Sequence, residues 1–147
     1  MSAKHPKRNE RAEVDRAGRT PLHYAAADGD AGRVSHLLDS GSDPCISDDD
    51  GWTPLHFAAQ SGSPPVISLL LDAGATVDSR DVHGNTPLLK AVFNSRGKGE
   101  AINLLRSRGA DPFLQNKHGV SPVKLARTIA NYDVSRFFND LPGEAGT

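Results

Sequence analysis

Apolar and polar positions alternate along the chain in short helical blocks, grouped two by two and separated by glycine-rich breaks. Each first block opens on a hydroxyl residue and a proline: Thr20-Pro21, Thr53-Pro54, Thr86-Pro87 and Ser121-Pro122. The hydroxyl suits an N-cap, and the proline suits the first helical position, where its missing N–H costs nothing. The pairs Ala25-Ala26 and Ala58-Ala59 let neighbouring helices approach closely. A break follows, Asp28-Gly29-Asp30 or Ser61-Gly62-Ser63. The second block carries apolar residues at helical spacing: Val34, Leu37, Leu38; Val66, Leu69, Leu70; Ile102, Leu104, Leu105. Pro64 and Pro65 fit only the first turn of such a helix. Gly41, Gly74 and Gly109 stand where each second helix must end in a left-handed residue. The polar stretches leading to Gly18, Gly51, Gly84 and Gly119 predict a hairpin or loop between blocks.

The blocks repeat. Thr20-Pro21-Leu22-His23 returns as Thr53-Pro54-Leu55-His56 and Thr86-Pro87-Leu88-Leu89 at steps of 33 residues, and as Ser121-Pro122-Val123-Lys124 after 35. No unit can bury its apolar face alone, so stability must come from stacking. The predicted fold is an all-α repeat solenoid of four helix-loop-helix units joined by hairpin-like loops. The units span 15–47, 48–80, 81–115 and 116–139, with polar tails at 1–14 and 140–147.

These linked signatures, the Thr-Pro-Leu-His start and the Leu-Leu-x-x-Gly ending, resemble the ankyrin repeat over roughly residues 15 to 138. The resemblance implies a scaffold that binds another protein, with no catalysis and no cofactor. It implies that His23 and His56 are structural, joining repeats through hydrogen bonds, rather than metal ligands. It also implies a concave binding face made by hairpin tips and first helices. Carried over unit by unit, that face takes in Arg16 and Arg19; Asp49, Asp50, Trp52 and Gln60; His83, Asn85, Phe93 and Asn94; and Lys117 and His118. Trp52 is the single tryptophan, and tryptophan is enriched among interface hot spots. It either points to the concave face or packs locally across its hairpin. Trp52 and Phe93 together are expected to form an aromatic patch on the middle units. Small bacterial proteins of this kind add a sharper alternative, an immunity protein that neutralises a toxin.

The pattern is broken in places. The third unit has two extra residues between its helices, within Phe93–Glu100, and carries Leu89 and Lys90 where earlier units have histidine and an aromatic. The insertion Arg96-Gly97-Lys98-Gly99 predicts a flexible basic loop or a partner contact. It lacks the frame of a phosphate-binding loop. The fourth unit has Lys124 at the histidine position, and its second helix is expected to close on Val134, Phe137 and Phe138. His83 and His118 occupy equivalent tip positions, as plain turn residues or as a pH-sensitive contact.

Composition narrows the function further. No G-x-S-x-G, H-E-x-x-H or C-x-x-C motif occurs. Asp48-Asp49-Asp50 falls on a turn and predicts solvated surface. A net charge of −1 sets no global field toward nucleic acid or membrane. The halves differ, with four basic and ten acidic residues over 15–80 against nine basic and six acidic over 81–147. That asymmetry predicts a solvated surface or one that orients a partner of opposite polarity. Cys45 is alone, and no apolar stretch follows the basic start at Lys4, Lys7, Arg8 and Arg11, so a reducing cytoplasm is expected. A monomer is expected. Small-molecule and nucleic-acid binding remain remote alternatives.

Overall fold

The computed structural model describes residues 14–142. The basic N-terminal start and the last five positions lie outside the described residues. Seven α-helices follow in order: α1 Pro21–Ala27, α2 Ala31–Asp39, α3 Pro54–Ser61, α4 Pro64–Asp72, α5 Pro87–Phe93, α6 Glu100–Ser107 and α7 Pro122–Thr128. A short 3-10 turn, Ser135–Phe138, is the last element among the described residues. No strand occurs among the described residues. First helices α1, α3, α5 and α7 stack on one another, and second helices α2, α4 and α6 stack beside them.

Three of the first helices are capped as their sequence predicts. Thr53, Thr86 and Ser121 accept through their hydroxyls from the N–H groups of His56, Leu89 and Lys124. The second helices end as read. Gly41, Gly74 and Gly109 take φ of 100°, 104° and 97°. The N–H groups of Ser42, Ala75 and Ala110 then return to the carbonyls of Leu37, Leu70 and Leu105. Leu22, Leu55, Leu88 and Val123 hold one position in successive first helices, and Val34, Ile67 and Ile102 hold one in the second. All are buried, so the core is a column of repeated apolar layers rather than one central cluster.

Two polar devices lock the layers. His23 Nδ1 accepts from the Thr20 N–H at 3.0 Å, and its Nε2 lies 2.9 Å from the carbonyl of Trp52 in the next unit. His56 repeats this with Thr53 at 3.1 Å and the Asn85 carbonyl at 2.8 Å. A ring that accepts at Nδ1 and donates at Nε2 is the neutral tautomer. The second device is the first residue of each hairpin. One oxygen of Asp48 accepts from Asp50 and Trp52, and one of Asp81 accepts from His83 and Asn85, all within 2.8–2.9 Å. Asn116 does the same for His118 and Val120. Asp48 and Asp81 are buried. Asp48 is therefore no part of a solvated acidic run. Its carboxylate is the hydrogen-bonding core of its turn, and only Asp49 and Asp50 face water.

Consecutive hairpins join through single backbone bonds: Asp49 N–H to Ala17, Val82 to Asp50 and Lys117 to His83, at 2.8, 2.9 and 2.9 Å. The fit is close. Gly51 has φ 81°, and a Cβ there would lie 2.9 Å from the Asp81 Cα.

The fourth unit departs from expectation, since it has no second α-helix. After α7 the chain turns at Asn131–Asp133, leaving too few residues for a helix before the last apolar group. Val134 and Phe138 are buried and Phe137 half-buried from the 3-10 turn instead. Asp140, read as the start of a tail, makes a two-point pair with Arg106 at 2.8 Å for each contact. The Arg106 guanidinium holds that carboxyl below the ordinary carboxylate range.

Two outcomes follow from these locks. Gly51→Ala forces both a left-handed alanine and a backbone collision, and is expected to cost about 2 kcal/mol or more in urea unfolding. A loss below about 0.5 kcal/mol contradicts the close hairpin stacking. Burial pushes His23 and His56 below the ordinary histidine value of 6.5, and the accepting carbonyls offset this only in part. The unfolded chain therefore takes up protons below pH 6.5 that the folded chain excludes, so stability present above that pH declines as pH falls. The urea midpoint should drop between about pH 7.5 and about pH 5.5, and should drop less in a His23→Leu, His56→Leu variant. An equal drop in both proteins would remove the neutral histidines from the account.

Candidate functional site

The hairpin tips and the exposed sides of the first helices make one face. The sequence reading placed its candidate residues there, and the structure divides them into two groups. Arg16, Asp49, Asp50, Gln60, His83, Phe93, Lys117 and His118 are exposed. Arg19, Trp52, Asn85 and Asn94 are half-buried and engaged within the chain.

The engaged group forms a ladder across the first three units. Arg19 Nε donates to Asp48 at 3.1 Å, while its guanidinium lies 5.1 Å from the Phe57 ring centre. Phe57 meets Trp52 with ring centres 4.8 Å apart. Lys90 Nζ sits 4.2 Å above Trp52 on the other side, and 3.9 Å from an Asp81 oxygen. Burial lowers the Lys90 ammonium from its ordinary value, with Asp81 countering. Two rings and two cations thus satisfy one another, each such contact contributing about 0.5–1 kcal/mol at partly exposed sites. Asn85 accepts from Asn116 Nδ2 at 2.9 Å and ties the third hairpin to the fourth, while Asn94 donates to the Lys90 carbonyl and closes α5.

Trp52 therefore packs against Phe57, His56 and Lys90, and the expected patch with Phe93 does not form as ring contact among the described residues. Lys90 covers the Trp52 ring from the third unit instead. Phe93 looks the other way, toward the fourth unit. At 72% exposure it is the most exposed large apolar side chain described. It borders one hollow of about 300 Å³ with Leu89, Val120 and Leu125, and another of about 210 Å³ with Leu125, Ile129 and Tyr132.

Leu89 opens this region. The third unit has no imidazole to reach the next hairpin, so apolar atoms floor the junction where His23 and His56 fill the earlier ones. Leu89 and Lys90 stand out in the sequence as departures and Val120 falls on the same face by repeat arithmetic, but Leu125 and Tyr132 were missed as neighbours of Phe93. Residue types gave no signal, since Leu125 stands where other units carry Tyr24, Phe57 and Lys90 and Val120 where they carry Arg19, Trp52 and Asn85; only the stacking of the fourth unit on the third brings them to Phe93.

The basic insertion is braced. Tyr132 lies on Gly97, and Arg136 Nη2 donates to the Gly97 carbonyl at 3.1 Å. Phe137 covers Gly99 so closely that a Cβ there would sit 2.2 Å from its ring. Arg96 takes a left-handed φ of 51°. It lines the Tyr132 hollow and an adjoining polar one, where Lys98, Ser95, Asn94 and Gln60 also stand, with Glu100 at the wall. At the hairpin tips the His83 and His118 rings stack with centres 6.5 Å apart. No group of three or more metal-ligating side chains occurs among the described residues. No helix among them is long and apolar enough to cross a membrane.

No curated protein matches the chain. A family model of ankyrin repeats, in three copies, matches residues 22–116. That span runs from the buried Leu22 of α1 to Asn116, the first residue of the last hairpin, and contains both histidine links. The match covers well over half the sequence, its limits agree with the three complete helix pairs, and the chain belongs to the ankyrin repeat family.

Proposed function

We propose that this chain is a non-catalytic scaffold that holds a partner protein along the face formed by its hairpin tips and first helices. Ankyrin repeats are protein-interaction modules. The observation that carries the reading here is Phe93, a phenylalanine left 72% exposed at the end of α5, beside Asn116 and His118 of the last hairpin. Large apolar side chains held out by a rigid support are what interfaces use as anchors. The engaged ladder of Arg19, Phe57, Trp52 and Lys90 supports the reading from beneath, because side chains already fixed lose little freedom when a partner covers them.

The sharper version makes the partner a toxin and this chain its immunity protein. Its support is the family resemblance alone, and rescue of a toxin-expressing cell by co-expression tests it. The scaffold reading is tested by affinity capture with three baits: wild type, a Trp52→Ala, Phe93→Ala variant, and Asn103→Ala on the exposed side of α6. The expected result is a protein retained by wild type and Asn103→Ala and lost from the double variant. A protein retained equally by all three would contradict the concave-face assignment.

A further inference from the structure

We propose that the groove between the third and fourth repeats takes an acidic segment of another protein, anchored by an aromatic or large aliphatic side chain. This rests on the scaffold reading and gives it a place and a chemistry.

Size and shape set the anchor. The two hollows beside Phe93 measure about 300 and about 210 Å³. They stand at or below the small end of ligand pockets, roughly 300–1,000 Å³, so they suit single side chains better than a whole small molecule. Leu89, Leu125 and Val120 offer an apolar floor, and Phe93 and Tyr132 offer ring faces. An aromatic side chain seated there would remove exposed apolar surface on both partners.

Charge sets the rest of the segment. No carboxylate lines either hollow, and Arg96 stands at the edge of the smaller one, while Lys90 at the edge of the larger is already held by Trp52 and Asp81. Lys98 extends the positive edge into the adjoining hollow, and Glu100 is the one acidic residue there. Arg96 and Lys98 make no ion pair among the described residues. Tyr132, Arg136 and Phe137 brace the backbone of the loop that carries them at Gly97 and Gly99, so the loop itself has little ordering left to lose. The second hairpin is opposite in sign, with Asp49 and Asp50 exposed at its tip. An acidic segment is repelled from that hairpin and drawn to this groove, which fixes its position along the stack.

The test is a selection of short random peptides displayed on phage against the full chain, followed by fluorescence anisotropy of the enriched peptide made synthetically. The expected peptides are net negative and carry one aromatic or large aliphatic residue. Phe93→Ala should weaken binding about tenfold. Arg96→Ala with Lys98→Ala should weaken it and flatten its salt dependence. Asn103→Ala, on the exposed side of α6, should leave it unchanged. Phe93, Arg96 and Lys98 are all exposed, so an unchanged thermal midpoint verifies that each variant is folded. Selection without acidic, apolar-anchored peptides overturns the proposal. So does a peptide indifferent to Phe93 and Arg96. If that peptide instead depends on Trp52, the groove falls and the scaffold reading stands; if it ignores every position on this face, both fall. Self-association through the same groove, seen in sedimentation velocity and abolished by Phe93→Ala, would make a second copy the occupant and overturn the acidic partner.

Discussion

A buried neutral imidazole that reaches from one unit to the backbone of the next is the interaction on which this stack depends. His23 and His56 each close their own helix start through Nδ1 and take the following hairpin's carbonyl through Nε2. Both rings are fully buried, so an unpaired nitrogen there would cost about 1–3 kcal/mol. Each bond holds only if the next hairpin keeps its shape. Asp48 and Asp81 secure that shape by gathering two N–H groups on one carboxylate oxygen. Side chain, turn and neighbouring unit thus specify one another, and the apolar layers are brought into register as a consequence.

The same logic explains why the third junction differs. Leu89 cannot make the link, so the third and fourth hairpins rely on Asn116 to Asn85 and on Lys117 to His83. The ladder of cations and rings ends at Lys90, and beyond it the face becomes open and apolar around Phe93. The terminal segment compensates from the far side. Phe138 enters the core, Phe137 and Tyr132 pack on the glycines of the insertion, and Arg106 fixes Asp140. Stability at this end comes from the closing turn, which leaves the junction free to present a surface.

Most of the fold was legible because it follows local rules repeated at one spacing. Hydroxyl-proline starts, glycine ends and the apolar period need no knowledge of distant residues. The fourth unit misled because Val134, Phe137 and Phe138 have the spacing of a helical face, yet the turn at Asn131–Asp133 leaves too little chain for a helix. Asp48 misled for the opposite reason. In an acidic run, sequence alone does not reveal which carboxylate turns inward to the backbone. The candidate site could be read as a set of positions and not as contacts. Trp52 and Phe93 fall on the same face by repeat arithmetic, but their partners were decided by Lys90 and Leu125, which lie in neighbouring units.

The central claim is that the tips and first helices, weighted toward the last two repeats, form the binding face. Hydrogen–deuterium exchange of the full chain with and without its captured partner measures this most directly. The account predicts added protection over residues 83–96 and 116–132, with the second helices α2 and α4 unaffected. Protection confined to α2, α4 and α6 would contradict it.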